Sequence, residues 1–264
     1  MPFPLVDIGI NLTDSAFAQD RAAVINAARH AGVATLILTG TDLASSQQAL
    51  ALCEQHGNGL FCTAGVHPHY AKEWSDQHAE QLLALARHDK VVAIGETGLD
   101  YNRNLSPPDQ QRQVFEQQLE IAAATGLPLF LHERDAAEDQ VALLQRYRDR
   151  ISGGVAHCFT GSVAVMRQYL ALDLHIGITG WICDERRGLH LREQVREIPL
   201  HRLLLETDGP YLLPRDLLPK PKSRRNEPKY LPHIAAVVAE CVGISVEELA
   251  AMTTENARVL FRLP

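Results

Sequence analysis

The sequence predicts a closed (β/α)₈ barrel, an α/β fold of the TIM type with extra helices at its C-terminus. Three observations carry that prediction. Short apolar runs alternate with longer amphipathic stretches along the whole chain. The runs are nearly continuous in Val, Ile and Leu rather than alternating, as befits parallel strands buried on both faces. The 264 residues match the roughly 250 that one such barrel needs. A doubly wound open sheet is the structural alternative. No linker or low-complexity segment interrupts the pattern, so one domain over residues 1–264 is expected.

The strand runs are 5–11, 35–40, 60–66, 91–95, 129–132, 154–159, 175–179 and 203–207. Helical patterns fill 14–31, 43–56, 77–88, 136–149 and 162–172, with a weaker one over 184–197. Between the fourth and fifth runs, Ser106 is placed as an N-cap, Pro107 takes the first helical position and Asp109 stands near the capping-box position. Phe115, Leu119 and Ala122 then share one apolar face. Gly126 ends that helix and Pro128 forbids its continuation. After the eighth run, residues 209–226 hold four prolines and five basic side chains (Arg215, Lys220, Lys222, Arg224, Arg225). Loops of that length usually carry function. Two helices are expected beyond it, with a capping box at Ser245 and Glu248 and with Thr254 opening the final helix.

Composition narrows the class. The chain is 46% hydrophobic and 22% charged, ordinary globular usage. A net charge of −7 argues against a protein that coats nucleic acid, but not against an enzyme with a locally positive cleft. No run approaches the roughly 20 apolar residues of a membrane span. The start, MPFPLVDIGIN, lacks the basic region, apolar run and small-residue site of a leader. The five cysteines (53, 62, 158, 183, 241) are odd in number and show no C-x-x-C spacing, so they read as reduced thiols. A cytoplasmic monomer is expected.

In barrel enzymes the active site lies where the strands end. Here the first run ends at Asn11, the third at His67 and His69, the fourth at Glu96, the fifth at His132 and Arg134, the sixth at His157 and the eighth at Asp208. One histidine at a strand end is usually structural. Four ligand-type residues on four strands, Glu96, His132, His157 and Asp208, converge on one rim if the barrel is right. That mixed nitrogen and oxygen set suits Mg²⁺, Mn²⁺ or Zn²⁺. Glu96 and Asp208 are the catalytic candidates, with Asp208 placed to orient a water or take its proton.

The strings VAIGETGLD (92–100), PLFLHERD (128–135), VAHCFTG (155–161), LLLETDGPYL (203–212), TAGVHPH (63–69) and RRNEP (224–228) resemble the TatD family of metal-dependent deoxyribonucleases. The likeness spans essentially the whole chain and is nearest to the subtype that gives the family its name. It implies an amidohydrolase-like barrel, Glu96, His132 and His157 as metal ligands, Asp208 as the catalytic aspartate, and Arg134 as a phosphate contact. It also implies Mg²⁺-dependent 3′→5′ exonuclease action on single-stranded DNA and RNA, and so a place in DNA repair. One departure matters. Many members begin Asp-x-His-x-His, whereas here Gly9 and Asn11 follow Asp7. Loss of two imidazoles tilts the site toward a single, oxygen-rich centre holding Mg²⁺ or Mn²⁺ rather than tight Zn²⁺. Asn11 remains able to hold a water or a phosphate oxygen.

A single strand as transient substrate needs cations along its backbone and aromatic faces for its bases. The candidates are Arg103, Arg134, Arg187, Arg215, Arg224 and Arg225, with Tyr101, Phe159, Trp181 and Tyr211 as stacking surfaces. His67 and His69 are set outside the ligand group, one of them as a phosphate donor or proton shuttle. Two other readings stand beside the nuclease: a metal hydrolase of a cyclic amide or an aminoacyl-tRNA ester, and a barrel that only binds a partner.

Overall fold

The computed structural model describes residues 4–264, with residue 76 described by its backbone alone. Residues 1–3, the head of the stretch tested for a leader, lie outside the described residues. Eight strands pair in sequence order, each parallel to its neighbour. They are β1 (Leu5–Ile10), β2 (Val33–Leu38), β3 (Leu60–Ala64), β4 (Val91–Asp100), β5 (Leu129–Arg134), β6 (Gly154–Ala156), β7 (His175–Ile178) and β8 (Leu203–Leu205). The helices are α1 (Arg21–His30), α2 (Leu43–His56), α3 (Asp76–Leu85), α4 (Pro108–Thr125), α5 (Ala137–Tyr147), α6 (Val163–Ala171), α7 (Leu189–Gln194), α8 (Leu231–Val242) and α9 (Val246–Phe261). Among the described residues no helix is long and apolar enough to cross a membrane.

The seam between β8 and β1 decides between the barrel and the open sheet. A parallel bridge joins Ile10 to Gly209. The Asp208 and Asn11 amides donate to the Gly9 and Gly209 carbonyls, each at 2.8 Å. Deeper in the seam, Thr207 gives its amide and hydroxyl to the Asp7 carboxylate at 2.9 and 2.5 Å. Burial pushes the Asp7 carboxyl up to about 7, against those hydrogen bonds. The sheet is therefore closed by polar contacts that the apolar pattern does not encode.

Strand parity sorts the side chains. Val6, Ile8, Ile37, Phe61, Val92, Phe130, Val155 and Leu204 fill the barrel interior. Their neighbours, such as Leu129 and Leu131, face the helices. Ala257 and Phe261 of α9 pack onto the interior set. Asn256 of the same helix donates to the Leu200 and Leu203 carbonyls, and Thr254 to that of Pro4. So α9 plugs the end where the strands start, and the opposite mouth is left for chemistry.

Several local expectations fall to tertiary contacts. The N-cap of α4 is Pro107, not Ser106. The Ser106 hydroxyl instead donates to the His69 carbonyl at 2.8 Å and accepts from the Lys72 amide at 3.0 Å, pinning the turn after His67. Thr254 lies inside α9 rather than at a helix start, because its hydroxyl is drawn to Pro4. The patterns over 14–31 and 184–197 break into 3₁₀ turns beside the shorter α1 and α7.

Three buried glutamines fix the strand ends. Gln118 of α4 accepts from the Val66 amide at 2.8 Å and donates to the Val66 carbonyl at 2.9 Å. Gln111 does the same for Asp100, and Gln140 accepts from the Leu99 amide. A buried backbone group left without a partner costs about 1–3 kcal/mol. Gln118→Leu is therefore expected to lower unfolding stability by roughly 2–4 kcal/mol, read by urea denaturation. Gln113→Ala, exposed on the same helix, is expected to change it by less than about 0.5 kcal/mol. Equal effects of the two would refute the clamp.

Candidate metal centre

The centre is built around Glu96. Gly95, with φ of +149°, could not carry a side chain, since a Cβ would run into the Phe130 carbonyl oxygen. That turn of backbone, with the Glu96 amide bonded to the Gly40 carbonyl at 2.7 Å, aims the carboxylate across the mouth. Three imidazole nitrogens meet its Oε1: His132 Nδ1 and His157 Nε2 at 3.0 Å and His67 Nε2 at 3.3 Å.

The other ring nitrogens show what each histidine can offer. His132 Nε2 faces Asp100 Oδ2 at 3.3 Å, and His157 Nδ1 faces Glu206 Oε2 at 3.1 Å. A carboxylate on one side of an imidazole takes its N–H and leaves the other nitrogen's lone pair free for a cation. His67 differs. Its Nδ1 accepts from the His69 amide at 3.1 Å, so its proton sits on Nε2, where it faces Glu96 as a donor. His67 lies within ligand distance of Glu96 and His132, but its tautomer suits hydrogen-bond donation better than ligation.

Charges follow the same layout. Burial lowers His67 to about 4 despite the pull of Glu96. Burial would also depress His157, but Glu206 and Glu96 hold it well above the usual imidazole range. Burial would raise Glu96, but His67 and His157 hold it well below the usual carboxylate range. Asp208 is pushed up to about 7, chiefly by burial, with His157 opposing and Glu96 and Glu206 adding repulsion. Its Oδ1 accepts from the Asn11 side-chain Nδ2 at 3.0 Å.

Among the described residues no Lys or Arg pairs with Glu96, Asp100, Glu206 or Asp208. Four carboxylates share one mouth and their only positive partners are imidazoles. This donor set fits a divalent cation, which would supply the fixed positive charge the side chains lack.

The departure at the first strand gains a physical reason. A Cβ on Gly9 would stand 2.5 Å from Glu206 Oε2 and 2.9 Å from Phe130 Cζ. The Glu206 carboxylate already fills the space that a side chain at position 9 would need. Sequence reasoning passed over Glu206 and Asp100, although both lie inside the quoted motifs. Each stands an even number of residues from a chosen residue, Asp208 and Glu96 respectively, and parity on an extended chain was the available signal.

The substrate candidates divide. Arg134 and Arg103 are exposed at the ends of β5 and β4, and their guanidinium groups have no partner among the described residues. His69 joins the centre through Asp100 Oδ2 at 2.8 Å. Trp181, Arg187, Arg215, Lys220 and Arg224 line a cleft of about 570 Å³ beyond β7 and β8. Arg225 is drawn elsewhere. It binds Asp20 at 2.7 Å, Glu227 at 3.0 Å and the Ala16 carbonyl at 2.7 Å, and it covers the Phe17 ring. Its fork fixes the loop instead of facing the cleft. Phe159 is buried against Tyr169 and offers no stacking face, while half-buried Tyr101 gives its hydroxyl to Asp139.

Comparison with known proteins places this architecture. The profile of the family described as TatD related DNase matches residues 6–262. The 3′-5′ ssDNA/RNA exonuclease TatD of Erwinia amylovora is 54% identical over 98% of this chain and 100% of its own length. That of Salmonella typhimurium is 52% identical over 98% of this chain and 99% of its own length. A TatD homologue from Escherichia coli superimposes with a TM-score of 0.90 at 29% identity, covering 100% of both chains. The organophosphorus hydrolase of Deinococcus radiodurans, at 16% identity and a TM-score of 0.65 over 98% of this chain and 92% of its own, shares the barrel alone. With the profile matched over nearly every residue and more than half of the positions identical to the Erwinia relative, this chain belongs to the TatD family.

Proposed function

We propose that this protein is a divalent-metal-dependent nuclease that removes nucleotides from the 3′ ends of single-stranded DNA and RNA. The observation that carries the reading is the convergence of imidazole nitrogens on one carboxylate oxygen, in a mouth whose carboxylates pair with no Lys or Arg among the described residues. The names of the Erwinia and Salmonella relatives supply the substrate class and the polarity.

Glu96, His132, His157 and Asp208 hold the cation. Mg²⁺ or Mn²⁺ is preferred to Zn²⁺, because Gly9 and Asn11 leave a centre rich in oxygen donors. When bound, the cation lowers the pKa of a water and polarises a phosphoryl oxygen. Asp100 and Glu206 lock the two ligand rings in the ligating tautomer. The Asn11 side chain donates to Asp208 Oδ1 and orients the carboxylate that takes the proton of the attacking water. His67 offers its Nε2 proton toward a phosphate oxygen. Arg134, Arg103, Arg224 and Trp181 receive the strand, with Arg donating paired hydrogen bonds to phosphate and Trp181 stacking a base. The enzyme works as a monomer in the cytoplasm, where its five free cysteines would stay reduced.

A 5′-labelled single-stranded oligonucleotide incubated with Mg²⁺ is expected to shorten as a ladder from its 3′ end, for DNA and RNA alike. EDTA is expected to abolish the ladder, and Glu96→Ala to slow it by at least about 100-fold. Intact DNA and RNA with both Mg²⁺ and Mn²⁺ would refute the nuclease reading.

The cleft makes separate predictions, read from KM at several salt concentrations. Arg224→Ala is expected to flatten the log–log salt slope by about 0.7, the share of one phosphate contact on a single strand. Trp181→Ala is expected to raise KM by an amount worth roughly 1–3 kcal/mol with the salt slope unchanged. Arg225→Ala is expected to lower thermal stability and leave the slope alone. A slope that responds to Arg225 but not to Arg224 would sink this assignment.

A further inference from the structure

A second cluster of ligand-type side chains lies outside the barrel mouth. Cys183 closes the 3₁₀ turn Gly180–Cys183 that follows β7. Asp216 comes from the basic loop after β8, and His233 from the first turn of α8. One ligand atom from each lies within 4.8 Å of the others. His233 Nε2 meets Asp216 Oδ1 at 2.6 Å, and the Cys183 thiol sits beside the same carboxylate. Arg192 approaches the far oxygen, Asp216 Oδ2, at 3.5 Å and holds the carboxylate in that orientation.

We propose that Cys183, Asp216 and His233 form a second metal site that takes Zn²⁺. The ligand chemistry selects the ion. Sulfur, imidazole nitrogen and one carboxylate oxygen suit a borderline-soft cation with tetrahedral preference, and exclude Mg²⁺ as a competitor. The site is also graded in exposure. Cys183 is fully buried, whereas the His233 and Asp216 side chains are 31% and 32% exposed. An ion can therefore enter from solvent and keep a water in its fourth position. On binding, the thiol gives its proton to solvent, the Nε2 proton of His233 moves to Nδ1 or, from an imidazolium, is lost to solvent, and the N–H···O bond between His233 and Asp216 is replaced by two bonds to the ion.

The placement gives the ion a task. The three ligands belong to three separate segments, and two of those segments, the turn at 180–183 and the loop around Asp216, form walls of the cleft that holds Trp181, Arg215 and Arg224. Zn²⁺ would staple both walls to α8. A simple ion pair between His233 and Asp216 would not require a buried thiol at the same point.

The test uses the full chain, stripped of metal and then held in excess Mg²⁺ to fill the barrel mouth, with Co²⁺ as a spectroscopic stand-in for Zn²⁺. A sulfur-to-cobalt charge-transfer band in the near ultraviolet is expected, and Zn²⁺ is expected to displace it. Cys183→Ser should remove the band and Glu96→Gln should leave it. His233→Gln, partly exposed and safe for folding, should weaken Co²⁺ binding at least about tenfold. Absence of the band in the wild type would overturn the proposal. So would a band that survives Cys183→Ser, which would assign the thiolate to another cysteine such as Cys158, or Co²⁺ affinity unchanged in His233→Gln.

Discussion

Glu96 Oε1 is shared among three imidazoles, and the layout of the mouth follows from that sharing. A buried carboxylate survives only if charge or hydrogen bonds offset its desolvation. Two of its partners are in turn braced by carboxylates, His132 by Asp100 and His157 by Glu206. Each brace adds negative charge to the same volume. Without a cation the group is held together by protons on imidazoles, and a bound divalent ion would relieve all of it at once. Helices α4 and α5 are recruited to that end, since Gln111, Gln118 and Gln140 tie down the strand ends that carry Asp100, Leu99 and Val66.

The barrel's closing seam and its chemistry are one structure. Asp7 and Thr207 join the first and last strands below the mouth. Nearer the mouth, four residues on along the first strand and one along the last, Asn11 and Asp208 make the same junction through side chains that face it. The absence of a side chain at Gly9 belongs to this arrangement, because the Glu206 carboxylate lies where a Cβ would be. The same Glu206 carboxylate, just beyond β8, fixes the orientation of His157.

Most of the architecture was legible in the sequence because buried parallel strands and amphipathic helices write themselves as periodicities. The eight runs fall on the eight strands, and α2 matches its predicted span of 43–56. What the sequence hid was decided by contacts distant along the chain. Ser106 has the local look of a cap, yet its hydroxyl bonds 37 positions back to His69. Thr254 has the same look, yet it bonds to Pro4. At the candidate site, Glu96, His132, His157 and Asp208 stood out in the sequence because each lies at or near the end of an apolar run. Asp100 and Glu206 did not, because one stands beyond its run and the other inside it. Arg225 shows the converse error: a cation in a basic loop reads as a phosphate contact until its partner, Asp20, is brought from 205 positions away.

The division of charge explains how an acidic protein can handle an acidic polymer. The net charge is −7, and the mouth concentrates carboxylates, so an approaching phosphodiester is repelled until a cation is bound. The rim beyond β7 and β8 has the opposite sign, with Arg187, Arg215, Lys220 and Arg224 around Trp181. Part of that charge is already answered, as Arg215 leans toward Asp184 and Glu185 at 3.6 and 3.8 Å. The remaining cations are few and local, so on the proposed reading they would give a strand an attraction that salt screens readily. On the proposed reading, the rim captures the chain without the metal, but the scissile phosphate enters the mouth only with it. Binding of the ion and of the reacting phosphate are thereby coupled by electrostatics alone, with no conformational switch required.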